Sequence, residues 1–155
     1  MRPNKKQNAQ KKQKKSYSGK HKCHTIKNQI VINGSNRQIL CAHEAKGAVH
    51  DFELFKRSGI HTNDDILDVA DKGYNTIHKI HRNSLIPFKK PRNGELTPEQ
   101  KAFNRNLASY RIRIEHVNRR LKCFKILQQR YRNKQRKHFL RFSLICGLYN
   151  YNMGF

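Results

Sequence analysis

The chain has 155 residues and carries 34 Lys and Arg against 10 Asp and Glu, a net charge of +24. One domain's length with a 35% apolar share, 8 Phe and 6 Tyr but no Trp, suffices for one modest core and excludes disorder throughout. The charge points to a polyanionic partner, nucleic acid above all, and no membrane span is expected: the most apolar run, 139–151, is too short and is interrupted by Arg141.

Residues 1–20 are rich in Lys, Gln and Asn and hold nothing to build a core, so they read as a basic low-complexity arm, disordered when alone. They lack the apolar stretch of a secretory signal. From His24 the pattern changes. Ile26, Ile30 and Ile32 alternate with Lys27 and Gln29, Asn33-Gly34 signals a turn, and 37–43 follows, which together predict an antiparallel hairpin. Phe52, Leu54 and Phe55 predict a short helix over 49–58. Ile66, Leu67, Val69 and Ala70 predict a buried strand that stops at Asp71-Lys72-Gly73-Tyr74. Asn75 is placed to cap a short helix carrying Ile77 and Ile80, and 84–89 reads as a strand that Pro87 confines to an edge. After a loop at 90–96, Thr97-Pro98-Glu99-Gln100 is a strong helix start: N-cap, proline at the first helical position, and a capping-box glutamine. That helix is expected to reach about Leu127, with Ile114, Val117, Leu121 and Phe124 along one stripe. A last helix spans about Lys134 to Asn150, with Phe139, Phe142, Ile145 and Tyr149 inward. The order is that of an α/β fold.

Cys23, Cys41, Cys123 and Cys146 stand far apart without a C-x-x-C pair, which argues against a disulfide scaffold or a zinc ribbon. They read as core fillers in a reducing compartment. Cys23 and His24 beside His21 belong to a lysine-rich strand entrance rather than a metal site.

Charge is distributed unevenly. Residues 1–43 sum to +11 and 116–155 to +10, both without a single acid, whereas 44–115 hold all 10 acids and sum to +3. Carboxylates confined between cationic flanks suit a few acids doing chemistry on a phosphate backbone that the flanks hold. Glu53, Asp64, Asp65, Glu95 and Glu99 fall at helix starts or in loops, where surface or capping roles are the default. Asp68 lies on the face opposite Leu67 and Val69 and is expected to be solvated. Three acids remain. Asp71 ends a strand before a glycine turn, where α/β sheets place their sites. Glu115 is the only acid after Gln100, set among Arg111, Arg113, Arg119, Arg120 and Lys122, and Asp51 begins the first helix. The bland reading of Glu115 is an i,i+4 pair with Arg119. The functional one is a shared divalent-ion site with Asp71, since phosphoryl transfer needs hard oxygen ligands.

Gly47 to Lys56 (GAVHDFELFK), Ala70 to Tyr74 (ADKGY) and Arg113 to Lys122 (RIEHVNRRLK) resemble the DDE-type transposases of bacterial insertion sequences, in the Harbinger-related group. Arg2-Pro3 with the following lysines, Tyr17-Ser18-Gly19-Lys20, Tyr131-Arg132-Asn133 and Leu148-Tyr149-Asn150-Tyr151 fit the same pattern in the same order. The resemblance implies a ribonuclease-H-like mixed sheet with flanking helices, two divalent ions (Mg²⁺ or Mn²⁺), and cutting and joining of transposon DNA ends. Its three acids are an Asp on the first strand, the Asp of a D-x-G-Y motif and a late helical Glu. Asp71 matches the second and Glu115 the third. The first would lie upstream of Arg2-Pro3, so residues 21–155 are expected to be a partial catalytic domain without its first, central strand, with impaired ion binding and no activity alone.

The expected ligands are thus Asp71 and Glu115, converging within about 4–7 Å, with Asp51 as an auxiliary. The expected phosphate contacts are Lys20, Lys22, Lys72, Arg113, Arg119, Arg120, Lys122, Arg130 and Arg132. DNA is the expected partner, with a homodimer or an upstream reading-frame product as further candidates, and the expected location is cytoplasmic, with the nucleoid. The competing reading is a small, non-catalytic basic nucleic-acid-binding protein.

Overall fold

The computed structural model describes residues 17–18, 23–129 and 137–155. Most of the basic arm, Lys20, Lys22, His21, Arg130, Arg132 and the expected helix start at Lys134 lie outside the described residues. In chain order the elements are β1 (Tyr17–Ser18), β2 (Cys23–His24), β3 (Ile26–Ile32), β4 (Ile39–Lys46), α1 (Asp51–Ser58), β5 (Asp68–Val69), two 3₁₀ turns (Lys72–Tyr74 and Ile77–Lys79), β6 (Ser84–Leu85), α2 (Pro98–Lys122), α3 (Lys125–Gln128) and α4 (His138–Asn152). The molecule is mixed α/β. Its strands pair two by two: β1 with β2 and β3 with β4 antiparallel, β5 with β6 parallel.

The hairpin is where the alternation places it, running from Ile26 opposite Lys46 to Ile32 opposite Ile39 with an irregularity at Val31/Ile32. Its turn is not the two-residue type that Asn33-Gly34 suggests. Asn33 and Gln38 close a longer loop, with Asn33 Oδ1 accepting from Ser35 N at 2.9 Å, and the left-handed residue is Arg37 (φ 68°). One face of the hairpin forms the core with two helices. Ile39, Val117, Leu121, Phe142, Ile145, Cys146 and Tyr149 are buried together, with Ile30, Ile32, Ala42, Ile126 and Leu127 packed around them. Asn150 joins helix to strand. Its side-chain oxygen accepts from Ile39 N and its NH₂ donates to Ile39 O, both at 2.9 Å, so both backbone groups of Ile39 are satisfied by one amide. Tyr149 Oη donates to Arg37 O at 3.3 Å, and buried His138 meets Glu44 of β4.

Several expectations are corrected. The strand expected over 66–70 is only Asp68–Val69, and Ile66 and Leu67 are half-exposed. Asp68 is not solvated: it accepts from Thr62 Oγ1 at 2.7 Å and lies beside the buried His81 ring, whose Nε2 is 2.7 Å from Ile66 O. Asn75 starts no helix and instead ends the first 3₁₀ turn, which Asp71 caps at its start; Thr76 precedes the second turn, and both elements there are 3₁₀ rather than α. β6 ends at Leu85 because Asn104 of α2 takes both backbone groups of Phe88, which a longer strand would have offered to a neighbour. The capping box at Thr97 and Gln100 forms as the sequence dictates. The long helix stops at Lys122 instead of Leu127. The chain turns at Cys123 and Phe124 so that Ile126 and Leu127 of α3 reach the core, which leaves Phe124 exposed. Phe139 is also exposed and stacks on His43 (centroids 6.4 Å apart). Of the four cysteines only Cys146 fills the core, where burial pushes its thiol up to about 11; Cys23 and Cys123 are exposed.

Candidate functional site

β5 delivers the chain to Asp71, whose backbone is extended and whose Oδ1 accepts from Lys72 N at 2.7 Å, capping the 3₁₀ turn Lys72–Tyr74. The same carboxylate oxygen lies 3.2 Å from Arg111 Nη2 on α2. Gly73 allows a close approach: a Cβ there would stand 3.0 Å from Asp51 Oδ2, so a side chain would force the Asp51 carboxylate to shift. Asp51 Oδ1 in turn holds Lys27 Nζ at 2.8 Å, and Lys27 also donates to Val49 O at 2.6 Å.

Tyr74 closes the group. Its ring meets Phe55 edge-on at 6.1 Å, and its hydroxyl accepts from Gln29 Nε2 at 2.7 Å. Burial raises the Tyr74 pKa above its usual value, and the negative charges of Asp51 and Asp71 push it the same way, against the Gln29 hydrogen bond. The close approach of Asp51 to Gly73, inside the turn that Asp71 caps, places the two carboxylates in the same neighbourhood. The approach to β5 is held by His81, buried between Ile66 O, Asp68 and the side chain of Asp64.

Glu115 lies one helical turn beyond Arg111. Positions 111, 115, 119 and 122 share one face of α2, so the face whose guanidinium reaches Asp71 also carries Glu115, Arg119 and Lys122. Glu115 is exposed, and the pair with Arg119 is not formed; among the described residues no ion pair involves Glu115. Of the other cations, Arg113 donates to Gly34 O in the hairpin loop and lies over the Tyr110 ring, and Arg120 Nη1 is 2.9 Å from Met153 Sδ. Lys72, Arg119 and Lys122 are exposed. An open cleft between β4 and α1, lined by Glu44, His50 and Arg57 among others, includes none of Asp51, Asp71 and Glu115.

Sequence reading missed Lys27, Gln29, Tyr74, Arg111, Glu44 and His81. Two of them carried a usable signal, Tyr74 by its place in the D-x-G-Y motif and Arg111 by its i−4 spacing from Glu115; the others depend on which strand faces which turn, and no local pattern encodes that. Asp71, Asp51 and Glu115 offer oxygen donors of the kind a hard divalent cation takes. As they stand, Asp71 and Asp51 each hold a side-chain cation, and no three His, Cys, Asp or Glu form a ligand group among the described residues.

Comparison with known proteins gives a consistent picture. Residues 2–150 match the family model of the DDE superfamily endonucleases. A probable transposase for insertion sequence element IS702 from Microchaete diplosiphon is 50% identical over 144 residues, which cover 93% of this chain. The chain spans about half the length of that relative, 52%. No solved structure matches the chain.

Proposed function

Since the chain belongs to the DDE superfamily endonucleases, we propose that it supplies the Asp71 and Glu115 portion of a transposase catalytic centre and holds DNA through its basic flanks. The observation that carries this reading is the 3.2 Å contact between Arg111 and Asp71, which sets the motif aspartate against the helix face that bears Glu115. Asp51, packed on Gly73, is the auxiliary acid. Mg²⁺ or Mn²⁺ would be held by Asp71 and Glu115 with Asp51 beside them, and when bound supplies positive charge to the attacking and leaving oxygens of phosphoryl transfer. The residues of this chain orient those ligands: Lys72 N fixes the Asp71 carboxylate, and Gly73 admits Asp51.

The fold reading is ribonuclease-H-like. In support, β3 and β5 each have a strand partner on one side only among the described residues, so a central strand between them would join the hairpin to the parallel pair. That strand, from a longer polypeptide or a second chain, would bring the first of the three acids. By itself, then, the chain binds DNA without cutting it. Nothing observed favours the alternative of a dedicated non-catalytic binding protein.

Strand nicking of supercoiled DNA in Mg²⁺ or Mn²⁺ tests the proposal. The unmodified chain leaves the plasmid intact while binding it; metal-dependent nicking that Asp71→Ala and Glu115→Ala both abolish would show that two acids suffice. With about 6–10 phosphate contacts, binding should weaken roughly 10³–10⁵-fold between 50 and 200 mM salt, and a flat titration would contradict the role given to the basic flanks.

A further inference from the structure

The two acids beside Tyr74 are each matched by one cation, Asp51 by Lys27 at 2.8 Å and Asp71 by Arg111 at 3.2 Å. We infer that Lys27 and Arg111 are internal counter-cations that compete with a divalent ion for Asp51 and Asp71, so that these ion pairs and ion binding exclude one another. The inference rests on the ion site proposed above and names what controls it.

Three observations carry it. The cations lie behind the acids: Lys27 and Arg111 side chains are 29% and 28% exposed, while those of Asp51 and Asp71 are 47% and 55% exposed. An ion arriving from solvent therefore meets the carboxylates first and must take oxygens the cations already hold. Charge balance is the second. Asp51, Asp71 and Glu115 with Lys27 and Arg111 sum to −1, so a divalent ion leaves a local excess of one positive charge while both pairs stay closed, and that excess falls when a cation turns away. Third, the partners differ in their freedom to leave. Lys27 has a second bond, to Val49 O, whereas Arg111 shares its helix face with Arg119 and Lys122. Released from Asp71, Arg111 joins a basic stripe suited to a phosphate backbone. Divalent-ion binding and DNA binding are then positively coupled, and reciprocally so.

Mn²⁺ binding to the full chain, read from the loss of the free-ion electron paramagnetic resonance signal, is the experiment, with far-ultraviolet circular dichroism confirming that each variant is folded. Arg111→Gln should bind Mn²⁺ about 2–5-fold more tightly than the unmodified chain, Arg111→Lys should return most of the way to it, and Asp71→Asn should lose the site. Lys27→Gln should give the same gain at Asp51 and serves if Arg111→Gln does not fold. Equal or weaker Mn²⁺ binding by Arg111→Gln and Lys27→Gln, with Asp71→Asn still abolishing it, would overturn the competition and leave the site standing. Mn²⁺ binding that ignores Asp71→Asn, or no binding by any variant, would overturn the site and the competition together.

Discussion

The half of the molecule built from the β3–β4 hairpin, the end of α2, and α4 buries a contiguous apolar cluster, although Leu140, Leu144 and Leu148 of α4 stay exposed; in the half around β5, β6 and the 3₁₀ turns Ile77 is the one buried large hydrophobic among the described residues. In the first, Val117, Leu121, Phe142 and Ile145 are buried and Asn150 ties α4 to Ile39. In the second, two residue pairs make the whole of the β5–β6 ladder, and Ile66, Leu67 and Val69 stay exposed. Asp71 lies in the weakly packed half, whereas Asp51 begins α1 and Glu115 stands on α2 two residues before the buried Val117. The motifs differ in the same sense: Tyr149 and Asn150 of Leu148 to Tyr151 serve packing, while Ala70 to Tyr74 positions acids.

The sharpest way to break this division is in the core. Phe142→Ala should cost about 3–5 kcal/mol in urea unfolding, enough to threaten folding of a small domain. A loss below about 1 kcal/mol would mean that the packing is not what holds the hairpin. Asn150→Ala comes next, at about 2 kcal/mol, because it strands the N–H and C=O of Ile39 where little water reaches them. A smaller effect appears in alkali. Cys146 and Tyr74 both have raised pKa values, so the folded state keeps protons that the unfolded chain releases. Stability is therefore full below about pH 9, the ordinary thiol value, and falls above it, first through Cys146 and then through Tyr74 near pH 10. Thiol-reagent labelling at pH 8 should modify Cys23 and Cys123 quickly and Cys146 only on unfolding. Leu67→Ala, in the other half, should stay within about 0.5 kcal/mol of the unmodified chain, and a larger loss would show that the exposed residues around β5 are part of a core after all.

What was legible in the sequence follows the same division. The hairpin, α1 and the Thr97 capping box are written in local periodicity and capping chemistry, and they form where those signals stand. Tertiary contacts decided the rest. Asn104 ends β6 by binding Phe88 from 16 residues away, and the core draws Ile126 and Leu127 off the line of α2. Asp71, Asp51 and Glu115 were visible as acids in motifs, but the cations on two of them were not: Lys27 reads as an ordinary polar strand residue, and its meeting with Asp51 depends on how α1 packs over the hairpin.

Glu115→Gln should have the smallest effect. Glu115 is exposed and has no ion pair among the described residues, so its loss should change stability by less than about 0.5 kcal/mol. Its neighbours on the helix face are Arg111, Arg119 and Lys122, so neutralising it removes the one negative charge from a basic stripe. DNA affinity, measured by fluorescence anisotropy on duplex without divalent ions, should then stay level or rise by no more than about threefold at low salt. Any gain should fade as salt shortens the reach of the charge to a few ångströms. Opposite signs in the two conditions would be informative: with Mn²⁺ present the carboxylate is needed as a ligand, so the same substitution should cost ion binding while leaving ion-free DNA binding intact. Weakened DNA binding without any ion would instead place Glu115 in the scaffold that shapes α2, and remove it from the proposed site.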